Sequence, residues 1–264
     1  MTDTAQAQRH PAYGEILRLD ELLDIACVRD DADRTLFFAA HQACEIWFAV
    51  VLRHLDEARQ ALLEGDAIPA AEHLERLPHI MEVITNHIDI LGTLAPRSFD
   101  EIRATLGTSS GFQSAQYREI EYLCGARDRR FLNVSGLTEA ERDRLLDQLA
   151  QKSLSSVFVE YRDSVPAASL LARRLRDALR TFDNSVRVWQ ERHAEVAELF
   201  LGAQRGTAGS TGAAYLRRSA ARTMFPEVFP DQWRPFGGEQ ERRAPALAAR
   251  IQSGESPVQR RVRG

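Results

Sequence analysis

Seven histidines carry most of the metal-binding and proton-handling capacity of this 264-residue chain, and their neighbours sort them. His10 lies in a polar N-terminal stretch, while His54, His73, His79 and His87 stand among charged residues, where a solvated helix face is the expected setting. His41 and His193 differ. His41 falls within the apolar run Leu36–Phe48, where four-residue spacing puts Phe37, His41 and Glu45 on one helical face. His193 follows Trp189 by one turn and precedes a glycine-rich run, Gly206–Gly212. A neutral imidazole held by helix packing and a second hydrogen bond can ligate a metal centre. The same residue types also make ordinary hydrogen-bonded core histidines, and spacing alone leaves both readings open. Arg118, in the stretch Gly111–Glu121, offers a planar cation beside aromatic and amide neighbours. Its fork matches a carboxylate bidentately; an internal ion pair with Glu119 or Glu121 is the competing reading. The run Gly206-Thr207-Ala208-Gly209-Ser210-Thr211-Gly212 can bring backbone N–H groups close to a ligand. It is no P-loop, because Ala213 stands where that motif needs lysine.

These side chains need helices to hold them. Apolar residues between Tyr13 and Val28 recur as in a short helix. A long helix is predicted from the cluster Asp30, Asp31 and Asp33 to Leu63, closed by Gly65. A second runs from Asp66 and Pro69 to Leu91 before Gly92, with Pro78 as a point where it kinks or divides. Ser98 with Glu101, and Thr138 with Glu141, read as capping boxes of shorter helices. A third long helix is expected over Pro166–Leu201, with Leu170, Leu175, Phe182, Trp189 and Leu199 among its inward residues. No segment alternates like a strand. The expected fold class is all-α, a helical bundle of long antiparallel helices with shorter flanking helices. Residues 1–12 read as a mobile start, 13–236 as a single helical domain, and 237–264, rich in Arg, Gly, Gln and Ala, as a disordered tail.

Hydrophobic residues make up 44% of the chain, enough for a sizeable core. A net charge of -4 with both signs interspersed gives no footprint for nucleic acid or an anionic membrane, so a small-molecule partner is expected. Cys27, Cys44 and Cys124 are odd in number and widely spaced, which argues against a disulfide framework and for a reducing, cytoplasmic setting. The first ten residues lack an apolar core like that of a signal peptide, and no stretch is expected to approach the roughly 18 to 20 apolar residues of a membrane span.

Four separated stretches together resemble the tryptophan 2,3-dioxygenase family. They are Tyr13-Gly14 with Leu17-Arg18-Leu19; His41-Gln42 with Glu45–Phe48; Gly111–Ser114 with Gln116-Tyr117-Arg118; and Trp189–His193 followed by Gly206–Gly212 and Tyr215-Leu216. Phe225-Pro226-Glu227 extends the match. The resemblance implies an oxidoreductase that binds haem b, uses O2 as co-substrate, and opens the indole C2–C3 bond of tryptophan or a substituted tryptophan to give an N-formylkynurenine. Residue by residue, it implies that His193 is the axial ligand of the haem iron, with Trp189 and Arg192 supporting it. His41 would meet the indole N–H as a positioner, Phe37 would flank the substrate ring, Arg118 would pair with the substrate carboxylate, and Thr207 would contact the amino-acid head group. Tyr13 would reach a neighbouring subunit's pocket, implying a homotetramer. Three features depart from the family pattern: Ala208 in the loop, Ile16 where many members carry a second tyrosine, and a shortened interval between Arg118 and His193. A more open site of that kind would admit a substituted substrate in specialised metabolism. The rival readings are a related haem monooxygenase that forms an oxindole, and a haem or ligand sensor without turnover.

Overall fold

Asp31 caps the first of two 32-residue helices. Its carboxylate accepts a 2.8 Å hydrogen bond from the Arg34 N–H, satisfying one of the donors a helix start leaves open. The computed structural model describes residues 12–27, 31–202 and 211–232. In it α3 spans Ala32–Leu63 and α4 spans Ala67–Leu91. The three-residue link between them turns at Gly65, whose φ of +83° is cheap only without a side chain. Pro78 sits inside α4 and the helix continues through it, neither divided nor ended; the fully buried Leu74 and Leu77 beside it anchor that turn to the core. The second 32-residue helix, α9, spans Leu170–Leu201 and not the expected Pro166–Leu201, because the Ser169 hydroxyl accepts from Ala172 N–H and starts it there.

The core is the layer where α3, α4 and α9 meet. Leu55 from α3, Leu74, Leu77 and Ile84 from α4, and Leu175, Leu179 and Phe182 from α9 are wholly shielded from solvent. Truncating one such leucine to alanine typically removes about 2–5 kcal/mol. The inward stripe of α9 is tighter than the sequence implies: Leu170 and Leu199 are exposed, whereas Ala172, Ala178, Gln190 and Ala194 are buried.

Shorter helices flank this layer. The expected single helix at the start is two, α1 (Tyr13–Leu17) and α2 (Leu19–Cys27), broken where Arg18 adopts a left-handed φ of 52°. Next, α5 (Pro96–Thr105) begins at Pro96 and not at a Ser98 box, since proline's fixed φ and missing N–H suit the first helical position. A serine cap at Ser114 starts α6 (Ala115–Cys124). It ends at Gly125, where an added Cβ would lie 2.8 Å from Ser155 Oγ. The Thr138–Glu141 box starts α7 (Glu139–Ala150) as expected. Two helices the sequence reading missed, α8 (Leu154–Ser164) and α10 (Ala213–Ala220), complete the set, and no strand occurs among the described residues.

Two further expectations change. His54 on α3 and His73 on α4 are not on solvated faces but meet each other, Nδ1 to Nδ1 at 2.9 Å. In addition, α3 is long and apolar enough to cross a membrane by length and composition, with a mean hydropathy of 1.5 over 18 residues. Here it serves as a packing helix against α4, α6 and α8. The expected mobile start up to residue 11, Thr207, Ala208 and the 237–264 tail lie outside the described residues.

Candidate functional site

A cavity lies between α3, α6, α9 and α10, and His41 and His193 both line it. Phe48, Tyr117 and Trp189 form its aromatic wall, with ring centroids 5.0–5.6 Å apart, and Ile88, Ala197 and Leu216 add apolar surface. Ser110, Ser114 and Tyr215 bring hydroxyls to it. Its volume of about 180 Å³ is below the roughly 300–1,000 Å³ of most small-molecule sites. A large ligand therefore requires its walls to part.

The two imidazoles are prepared differently. His41 Nδ1 is 2.7 Å from the Phe37 main-chain oxygen, one turn earlier. A carbonyl can only accept, so Nδ1 carries the proton and Nε2 keeps its lone pair. Burial lowers the His41 pKa, against opposing pulls from that hydrogen bond and from Glu45. His193 makes no hydrogen bond among the described residues: its Nδ1 is buried without a partner, which leaves Nε2 as the nitrogen turned to the cavity. Burial, reinforced by His41, takes its pKa down to about 4. Both rings are thus neutral at physiological pH, the state a metal ligand or a hydrogen-bond acceptor requires.

Around these rings the expected residues fall into three groups. Trp189 is buried one turn before His193 with ring centroids 5.8 Å apart, and its indole N–H has no partner. Phe37 packs against His41 at 4.4 Å and is 6.4 Å from Phe99, which stacks on Phe200 at 4.3 Å. Phe37 thus backs the His41 ring and does not line the cavity. Arg192 does not support His193; it turns outward to Asp89 and Glu195. Tyr13 is exposed on α1 and outside this chain's own cavity.

Arg118 is tied to its neighbours within the fold. Its guanidinium donates to Glu121 at 2.6 Å in a buried ion pair and to the Tyr215 oxygen at 2.8 Å, with the Phe131 ring 4.5 Å beneath it. Burial works against the cation, yet Glu121 and the two tyrosines hold its pKa above the ordinary arginine value. Two of its nitrogens are thus engaged, its Nε is buried without a partner among the described residues, and the residue is not among those lining the cavity. The internal ion pair is present, and the remaining Nε donor leaves the carboxylate reading standing beside it.

Sequence reasoning gave Glu45, Cys44, Tyr117 and Tyr215 no role in the site, and the cavity is lined by all four. Glu45 was visible only as His41 plus four; in the fold Gln116 Nε2 donates to both its main-chain oxygen at 3.1 Å and its carboxylate at 2.9 Å. This ties α6 to the turn that follows His41. Burial pushes the Cys44 thiol up to about 12, so it stays protonated and does not compete as a thiolate ligand.

The profile of the tryptophan 2,3-dioxygenase family matches residues 2–144. A tryptophan 2,3-dioxygenase of a Nocardioides species is 34% identical over 242 residues, covering 81% of this chain and 91% of its own. The Saccharopolyspora erythraea enzyme of that name is 31% identical, covering 84% and 92%. The chain belongs to the tryptophan 2,3-dioxygenase family. A third member, from Anaeromyxobacter sp. strain K, is 31% identical and covers 88% of this chain and 98% of its own, so this chain spans nearly the whole length of its relatives.

For a member of this family the donor set of the cavity fits a haem. His193 presents a neutral, otherwise unbonded imidazole, the flanking wall is aromatic, and hydroxyls are at hand for carboxylate groups. No group of three metal-ligating side chains exists among the described residues, so a bare metal ion has no such cluster to bind.

Proposed function

We propose that this chain is a haem-dependent tryptophan 2,3-dioxygenase, joining both atoms of O2 to the indole C2–C3 bond of L-tryptophan or a substituted tryptophan. The observation that carries the reading is the pair of neutral imidazoles, His41 from α3 and His193 from α9, on the wall of one aromatic cavity. His193 would ligate the haem iron, with Trp189 beside it. The Tyr215 hydroxyl, held by Arg118, and the Ser110 and Ser114 hydroxyls would receive the propionates. When bound, haem supplies the iron at which O2 is activated.

The chain's own residues bind, orient and exclude water. His41 Nε2, the acceptor nitrogen, suits the indole N–H as donor, and the hydrogen bond holds the ring in register without removing its proton. Phe37 and Phe99 back that side with aromatic surface. Arg118 keeps its assignment to the substrate carboxylate: its Nε is buried without a partner among the described residues, so the guanidinium retains a donor beyond those it gives to Glu121 and Tyr215. Thr207 keeps its assignment to the amino-acid head group.

Six large apolar side chains between Tyr13 and Ile25 are exposed on α1 and α2. This supports an arm that a second copy covers, with Tyr13 entering the neighbour's pocket in a homotetramer. The free, buried thiols of Cys44 and Cys124 suit a reducing compartment.

The test is to incubate reduced, hemin-loaded protein with tryptophan under 18O2. Two labelled atoms in an N-formylkynurenine support the reading. One labelled atom in a product with an intact ring, or no oxidised product, overturns it.

A further inference from the structure

Among the described residues His193 has no hydrogen bond to fix its ring, only the Trp189 ring 5.8 Å away on its own helix, so its aim depends on how α9 is rotated about its own axis. The lever is long. The Cα lies about 2.3 Å from a helix axis and Nε2 several ångströms further out, so turning the helix by about 10° moves that nitrogen by about 1 Å. A ligand site tolerates about half that. Something must therefore hold the rotation of α9 near this turn.

Apolar packing of Trp189 and Ala194 contributes, and on the outer side Arg192 reaches Asp89 on α4. Gln190 is different. It is buried on α9 one turn before His193, with 4% of its surface exposed, and its side-chain amide reaches two other helices. The NH2 group donates to the Tyr117 hydroxyl on α6 and, at 3.0 Å, to Ser219 Oγ on α10. These bonds leave the helix in two directions and lie in a buried setting, where loss of either leaves an unsatisfied polar atom. Neither Gln190 nor Ser219 lines the cavity.

We propose that Gln190 is a positioning residue for the iron ligand: its amide pins α9 between Tyr117 and Ser219 and thereby aims His193 Nε2 into the cavity. This rests on the haem reading above.

The test uses the full-length protein loaded with hemin and reduced. In Gln190→Leu, which keeps the bulk and removes both bonds, the iron–histidine stretching band in resonance Raman spectra is expected to shift or broaden. Hemin should also transfer to apomyoglobin about tenfold faster, as when support for a metal ligand is lost. Ser219→Ala removes one of the two anchors and should displace the band in the same sense by less, which also covers the case of a leucine variant that does not fold. A mere packing role would lower the melting temperature and leave the band in place. A band at its wild-type position in Ser219→Ala and in any folded Gln190→Leu overturns the proposal. Failure of the wild-type protein to take up hemin overturns the haem reading instead.

Discussion

The main-chain oxygen of Phe37, 2.7 Å from His41 Nδ1, decides what the other side of the imidazole can do. With the proton on Nδ1, Nε2 is an acceptor, matched to an indole N–H and mismatched to an N-methylated indole. His41→Ala should lower kcat/KM for tryptophan about three- to tenfold, the scale of one hydrogen bond of about 0.5–1.5 kcal/mol, while the haem spectrum persists. Protonation of His41 turns Nε2 into a donor. Because burial depresses its pKa, the acceptor form is present at neutral pH and is lost only as pH falls below the ordinary histidine range. Complete loss of activity in the alanine variant would instead make His41 an acid–base group.

Arg118 and Glu121 form a buried pair, and removing one partner strands the other. Arg118→Leu should therefore destabilise the fold by about 3–5 kcal/mol, measured by urea unfolding. Arg118→Leu with Glu121→Leu should recover most of that. Arg118→Lys keeps a charge for Glu121 and loses the planar fork, so it should fold with a smaller loss while raising KM for tryptophan and sparing indole compounds that lack a carboxylate. An Arg118→Lys variant that folds and keeps the wild-type KM for tryptophan would remove Arg118 from the carboxylate.

The long helices were legible because burial imposes a period the sequence must obey, and Asp31 and Thr138 were legible because a cap needs a particular side chain at one position. Leu170 and Leu199 fit that period and are nonetheless exposed, since the ends of α9 run past the helices that cover its middle. His41 stood out by its apolar run, and His193 by Trp189 one turn before it and the glycine-rich run after it. Arg118 did not resolve, because a carboxylate three residues away and a carboxylate on a ligand ask for the same guanidinium. His54 and His73 are nineteen residues apart, and only the register of α3 against α4 makes them partners. The Gln190 contacts were hidden for the same reason: their spacings of 73 and 29 residues carry no local signal.

Asp183, buried on α9, accepts from Met224 N–H at 2.7 Å and from the Thr223 hydroxyl at 2.8 Å, fastening the segment after α10. Burial raises its pKa despite those two bonds. The folded state thus keeps the proton to higher pH than the unfolded chain does, so this group's contribution is favourable at acid pH and is lost as pH rises through the folded pKa. An asparagine can accept from Met224 and donate to Thr223 without carrying charge. Asp183→Asn should gain stability relative to wild type as pH is raised from acid to neutral. A difference in unfolding free energy that is flat with pH, or runs the other way, would show that Asp183 is ionised in both states.

The arm formed by α1 and α2 touches the rest of its own chain mainly through α3, yet Tyr13, Ile16, Leu23 and Ile25 are each at least half exposed. Apolar side chains so placed within a dozen residues are stable in water only if another surface covers them. Tyr13 is outside its own chain's cavity, so its assigned role requires exchange of arms between copies. Subunits carrying Tyr13→Ala would then have intact haem sites served by defective arms, and subunits carrying His193→Leu would have dead sites but sound arms. Each alone should show low kcat/KM. Refolding or co-expressing the two together should raise activity well above the sum of the separate preparations, because sound arms then reach sound sites. Ile16→Asp with Leu23→Asp should abolish that rescue and lower the mass measured by light scattering. Mixed oligomers that form without any gain in activity would place Tyr13 outside the reaction, and unchanged mass in the aspartate variant would mean that the arm is not the surface joining the copies.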